Sequence, residues 1–170
     1  ASVTILSNNR QPIYVDPVGG NDGNTGLTSG QPIATWGRVR QLLASRREVL
    51  FKRNTTINLD AALVCDFDHV IFGAFGSGVD PILRWNGSRS GQPILEIGGR
   101  DVVVRDLALT STFTDASSSG TPMGVRFSGR NLAVFNCDFG AISYALHTAW
   151  LTSGRPNNST PIGGKGGGLM

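Results

Sequence analysis

The sequence predicts an all-β solenoid of short, stacked parallel strands with one short helix near its N-terminus, and three observations predict it. First, Asp101-Val102-Val103-Val104-Arg105-Asp106-Leu107-Ala108-Leu109 is matched thirty residues later by Asn131-Leu132-Ala133-Val134-Phe135-Asn136-Cys137-Asp138-Phe139. Asp or Asn opens each unit, Asp106 falls over Asn136, and an apolar pair spaced by one residue closes it. Asp68-His69-Val70-Ile71-Phe72-Gly73-Ala74-Phe75 is a looser third copy about one repeat earlier. Repetition at this period belongs to architectures whose units bury their apolar faces only by stacking on one another. Second, the apolar runs are brief, and 23 glycines are scattered among Asn, Asp, Ser and Thr, the composition of many tight turns. Third, only one window has helical spacing, residues 34–45, where Trp36, Val39, Leu42 and Leu43 share a face.

In chain order, residues 1–12 read as a polar extension. Ile13-Tyr14-Val15 is a short strand that runs into a turn-dense loop over residues 16–26, and the helix follows. Strands are then expected over 48–52, 55–59, 62–65, 69–75, 81–85 and 94–97. The repeat units come next, with a further strand over 123–128 between them. Parallel stacking explains why a thirty-residue period coexists with strands of three to six residues. An antiparallel sandwich, the competing reading, would show longer alternating strands joined by two-residue turns, and Asn86-Gly87 is the only Asn-Gly pair. On the solenoid reading Asp106 and Asn136 occupy one bend in successive coils, where their side chains hydrogen-bond along the stack. Leu107, Leu109, Cys65 and Cys137 then point inward.

Composition bounds the rest. The 170 residues make one domain's worth of chain, and 39% hydrophobic with 16% charged residues fits neither a disordered nor a membrane protein. The longest apolar runs are far short of a membrane span. The net charge of +3 is carried almost wholly by arginine, Lys52 and Lys165 being the only lysines. There is no block of like charge, no zinc-ligand spacing and no RNA-binding aromatic pattern, so nucleic acid is not an expected partner. Cys65 and Cys137 sit in apolar runs and are expected as buried free thiols, with a disulfide between them as the alternative. The opening residues show no charged segment followed by an apolar one, and a start at Ala1 fits a processed N-terminus or a fragment equally.

Two regions then resemble the right-handed parallel β-helix proteins of the pectate-lyase-like group. Ile13-Tyr14-Val15-Asp16-Pro17, the Gly20-Asn21-Asp22-Gly23-Asn24-Thr25-Gly26-Leu27 loop, Pro32 and Thr35-Trp36 look like the first strand, glycine-rich loop and N-terminal capping helix of those proteins. Residues 48–52, with Val70-Ile71-Phe72-Gly73-Ala74-Phe75-Gly76-Ser77-Gly78 and Asp80-Pro81-Ile82-Leu83, resemble their first rungs. The resemblance spans roughly residues 13–140. It implies an extracellular or cell-surface protein that binds or cleaves polysaccharide, as a lyase or a hydrolase. A non-catalytic structural or adhesive module, such as a surface fibre, adhesin or tailspike segment, is the alternative, because fold does not fix function. Members of the group commonly stack ten or more coils, and about four are countable here. Residues 13–150 are therefore expected to be the N-terminal part of the domain, and 151–170 a glycine-rich tail or a truncated continuation. Further coils of the same protein, or another chain, are expected over the open C-terminal end.

The resemblance implies where chemistry would sit. Lyase chemistry on a uronic acid needs its carboxylate neutralised, a base for the C5 proton and an acid for the leaving oxygen. In the lyases of the group the base is lysine or arginine, which makes Lys52, Arg105 and Arg126 the candidates. Arg105, Asp106, Arg126 and Asp138 would form a charged outer stripe on adjoining coils, with salt-bridged surface as the bland reading. Hydrolase chemistry wants paired carboxylates, and Asp106 with Asp138 is the available pair, though they occupy different positions in the unit. Asp16, Asn21, Asp22 and Asn24 form an oxygen-rich cluster reminiscent of a calcium loop, which makes Ca2+ the one cofactor in view. Its spacing is not that of an EF-hand, and turn stabilisation is the competing role. His147 lies beside Tyr144 and Trp150, an aromatic group that would stack on sugar or plug the coil. The Ser/Thr-rich loop 110–121 is the expected binding rim. Asn54, Asn86 and Asn158 open glycosylation sequons.

Overall fold

Brief apolar runs between turn residues give short strands, and here these strands line up in parallel and turn their apolar sides into one core. The structure, a computed structural model, describes residues 10–88, 91–113, 121–142 and 146–148. Its elements are β1 Gln11–Val15, α1 Trp36–Leu42, β2 Arg47–Lys52, β3 Thr56–Leu59, β4 Leu63–Cys65, β5 Ile71–Phe75, β6 Ile82–Trp85, β7 Pro93–Ile97, β8 Arg100–Ser111, β9 Met123–Phe127, β10 Arg130–Phe139 and β11 Leu146–Thr148. One seven-stranded sheet runs β1-β2-β5-β8-β6-β3, with β10 also pairing β8; a four-stranded sheet runs β11-β9-β7-β4. Every pairing among the described residues is parallel, which removes the antiparallel sandwich.

Register turns the repeat into three ladders. Ile13 pairs with Val49, Val49 with Phe72, Phe72 with Val104 and Val104 with Val134. Ile57, Leu83, Leu109 and Phe139 form a second ladder, and Leu63, Leu95 and Val125 a third that continues to Leu146. Nearly all of these side chains enter one apolar core that draws on both sheets and on Trp36 and Val39 of α1. Burial of this kind contributes roughly 25 cal/mol per Å² of apolar surface, and the two-residue strand period aims alternate residues inward.

Strand β8 belongs to two parts of the seven-stranded sheet: its first half pairs with β5 and its second with β6. The bend between them is Asp106, at φ 56°, and Asn136 repeats it at φ 50°. Short Asp and Asn side chains tolerate this left-handed region. As the spacing predicts, the Asn136 Nδ2 donates to the Asp106 Oδ1 at 2.6 Å. Asp101 and Asn131 form a second such step, also left-handed, with a 2.9 Å bond from Asn131 Nδ2 to Asp101 Oδ1.

The helix is shorter than its periodicity predicts. Thr35 caps it by accepting from the Arg38 N–H at 3.2 Å, but Leu43 is already extended and Arg46 is left-handed at φ 60°, so the chain turns into β2. Both thiols are free. Cys65 is buried, whereas Cys137 is only half-buried, a departure from expectation. Cys137 lies on β10, which pairs with β8 alone and has no later strand beyond it among the described residues. Burial pushes both thiols up to about 11. Residues 1–9 of the polar extension, the tail 151–170, the centre of the 110–121 loop, Tyr144, Trp150 and the Asn158 sequon lie outside the described residues. Strand β11 carries no apolar run long enough to predict it.

Candidate functional site

Parallel alternation gives the first ladder an outer face as well as an inner one. With Ile13, Val49, Phe72 and Val104 inward, Tyr14, Leu50, Gly73, Arg105 and Phe135 form the neighbouring outward column. At its centre, a Cβ built on Gly73 would lie 3.5 Å from the Arg105 Cγ, so glycine leaves the floor over which the arginine lies. Crossing that floor, Arg105 reaches two carboxylates. Its Nη1 donates to Asp106 Oδ2 at 2.8 Å and its Nη2 to Glu48 Oε1 at 3.3 Å. Tyr14 and Phe75 meet edge to face on the same side, with ring centroids 5.0 Å apart, and Phe135 is 48% exposed at the column's end.

Register also sets Asp16 beside Lys52, each one residue past the paired Val15 and Phe51. Lys52 Nζ donates to Asp16 Oδ2 at 2.6 Å, and Asp16 Oδ1 accepts the Val18 and Gly19 N–H groups, each at 3.0 Å. Burial acts to raise the Asp16 pKa. The Lys52 ammonium and the Gly19 and Val18 N–H groups outweigh it and hold the carboxyl below its ordinary value. A carboxyl depressed in the folded state stabilises at neutral pH and loses that contribution as pH falls through its folded value. Asp16→Asn should therefore cost about 1–3 kcal/mol at pH 7 in urea unfolding. The gap should close below about pH 4; equal stability of the two proteins at pH 7 would refute the role given to Asp16.

The other members of the oxygen-rich loop are committed in the same way. Asp22 Oδ1 accepts the N–H groups of Ala34 and Thr35 at 2.8 and 2.9 Å, and its Oδ2 takes the Thr35 hydroxyl. Burial opposes ionisation of Asp22, but the Thr35 hydroxyl and these N–H groups prevail and lower its pKa. Asn21 Oδ1 accepts the Gly23 N–H at 2.8 Å, and Asn24 Nδ2 donates to the Pro32 carbonyl at 2.9 Å. A calcium ion would have to displace these donors and sit beside the Lys52 ammonium. Asp16, Asn21, Asp22 and Asn24 thus fit the turn-stabilising role and do not fit a cation cage. No cluster of three or more His, Cys, Asp or Glu able to hold a metal is present among the described residues.

The candidate catalytic residues divide between two sheets. Lys52 and Arg105 share the outer face just described. Arg126 lies on β9 in the four-stranded sheet and donates to Glu96 Oε1 at 2.6 Å. Asp138 lies beyond the Asn136 bend, stacked over Ala108 and exposed. The charged stripe expected from Arg105, Asp106, Arg126 and Asp138 is therefore not assembled; only its Arg105–Asp106 step forms. The left-handed bend carries the second halves of β8 and β10 onto a different course, and β9 belongs to the other sheet. Nor do Asp106 and Asp138 pair, since Asp106 lies at the bend and Asp138 beyond its partner Asn136. His147 is in β11, opposite Arg126.

Sequence reasoning missed Glu48, because nothing local ties it to an arginine 57 positions away. It also assigned Asp16 and Lys52 to separate roles, although aligning Val15 over Phe51 would have paired them.

No protein-family model matches the sequence, and no curated protein matches it. In fold, the chain is similar to GH136 lacto-N-biosidase from Eubacterium ramulus. Against the selenomethionine derivative the TM-score is 0.56 at 17% identity, over 73% of this chain and 27% of that one. Against the native protein it is 0.55 at 15% identity, over 84% and 31%. The chain thus spans less than a third of that protein's length, and identity at this level speaks for the fold alone. Among the described residues no helix is long and apolar enough to cross a membrane.

Proposed function

We propose that this chain forms the first coils of a right-handed parallel β-helix, related to the pectate-lyase-like group, at a cell surface or outside the cell, and that the outer face around Arg105 engages a glycan. The three ladders support the coil reading: each advances by one repeat per step, and all three feed one core. The likeness to a lacto-N-biosidase supports a carbohydrate-directed role. The observation that carries the site is the Glu48–Arg105–Asp106 cluster between aromatic rings, since sugar recognition pairs planar hydrogen-bonding groups with ring faces.

Engagement without lyase chemistry is favoured by one feature of that face. Both cations named for lyase chemistry there, Lys52 and Arg105, already hold carboxylates. A proton taken up by Lys52 acting as base would first require a deprotonated amine beside the buried Asp16 carboxylate, an uncompensated charge. The test is affinity electrophoresis of the chain in gels containing neutral or acidic polysaccharides, with Arg105→Gln alongside. Retardation by a neutral glycan, weakened about tenfold in Arg105→Gln, is the expected result, one hydrogen-bonded group in a sugar site being worth roughly 1.4 kcal/mol. No retardation across the panel, or release of unsaturated uronide from acidic polysaccharide, overturns it.

A further inference from the structure

We propose that the corner where the four-stranded sheet hands over to the seven-stranded one is a separate surface for a sulfated or similarly polyanionic polysaccharide laid along the stack. The corner is built by equivalent turns. Arg46, His69, Asp101 and Asn131 all adopt left-handed backbone with φ between 54° and 60°. Backbone bonds tie them in series, from the Arg46 N–H to the Asp68 carbonyl and from the His69 N–H to the Arg100 carbonyl. Arg100 pairs directly with Arg130 across β8 and β10. Neighbouring parallel strands lie about 4.8 Å apart, so Arg100 and Arg130 start from backbone positions one strand spacing apart.

The charge is unbalanced. Arg10, whose Nε donates to the His69 carbonyl at 2.9 Å, joins Arg46, Arg100 and Arg130 against Asp66, Asp68 and Asp101. Four arginines against three aspartates leave this corner with a net positive charge. Asp68 is engaged by Arg100 through Nε at 3.2 Å and Nη2 at 2.8 Å, and Asp101 faces Asn131 and His69. Arg46 and Arg130 are exposed and form no ion pair among the described residues. Arginine forks hold sulfate, phosphate or carboxylate bidentately and lose little hydration in doing so.

The pattern favours a polysaccharide over nucleic acid. Asp68 and Asp101 are interleaved with the arginines, and a continuous phosphate backbone would meet them with repulsion. A sulfated glycan alternates anionic groups with neutral hydroxyls, which donate to those carboxylates. Phe67, 40% exposed and next to Asp68, offers an apolar surface to a pyranose face. This surface is distinct from the Arg105 face, so either proposal stands if the other fails.

The test is retention of the 170-residue chain on immobilised heparin over a salt series, with unsulfated dextran and duplex DNA as comparison ligands. Retention on heparin alone is expected, and Arg46→Ser/Arg130→Ser should lower the slope of log affinity against log salt by about two. Arg84→Ser, on β6, should leave the slope unchanged, and an unaltered thermal transition in the double variant shows that the fold persists. Absence of retention at low salt, or an unchanged slope in the double variant, overturns the proposal. Equal or tighter binding to DNA overturns the polysaccharide assignment.

Discussion

Gly129→Ala is expected to cost about 3 kcal/mol or more, the upper end of what overpacking does to a folded protein. A Cβ at Gly129 would fall 1.9 Å from the Gly99 carbonyl oxygen and 2.7 Å from that of Gly98. One repeat earlier, a Cβ at Gly99 would fall 2.0 Å from the Phe67 carbonyl oxygen. No rotamer change relieves either contact, because the obstacle is backbone. The glycines are required here by the closeness of successive turns and not by a left-handed φ. Separating the turns would stretch the Arg100–Arg130 pairing immediately beyond them. In thermal unfolding the melting temperature should fall by roughly 6–12 °C, taking about 2–4 °C per kcal/mol for a chain of this size. Gly30→Ala is the matched control, since nothing lies within 4 Å of a Cβ there, and it should be neutral or slightly stabilising. A Gly129→Ala protein within about 0.5 kcal/mol of its parent would mean that the turns are not stacked this closely.

That glycine pair also shows what the sequence displays and what it hides. The repeat extends back by two residues, Gly99-Arg100 over Gly129-Arg130, so both the tight turn and the arginine pair were visible once the copies were aligned. Asp106 over Asn136 was legible for the same reason: a side chain bonded to its own equivalent needs the same residue class at the same place. The short strands followed from their apolar runs, and the parallel arrangement from the period. Contacts between non-equivalent positions were not legible. Arg105 reaches Glu48 across Gly73 of β5, and the loops between ladders differ in length, so spacing gives no arithmetic for that pair. The failed stripe has the same origin. Arg126 and Asp138 look adjacent along the chain, but the change of sheet at residues 128–130 and the bend at Asn136 separate them.

Phe72→Ala should be at least as damaging, at about 3–5 kcal/mol, the range for truncating a fully buried phenylalanine. Phe72 is fully buried at the middle of the first ladder, with Val49 before it and Val104 after it. Each of those valines has another neighbour on its far side, Ile13 and Val134, so neither is free to move into the cavity. Val134→Ala tests this argument from the other end. Val134 is only partly buried, on β10, and truncation there should cost about 1 kcal/mol or less, because a half-exposed side chain has less apolar surface to lose. Within the first ladder, β5 pairs with strands on both sides, whereas β10 pairs with β8 alone among the described residues. Loss at the centre removes two interfaces at once, whereas loss on β10 weakens one. Urea unfolding of both variants measures the difference directly. Similar costs at the two positions would mean that Phe72 is not wedged between two fixed neighbours, and the single continuous core drawn from the three ladders would have to be abandoned.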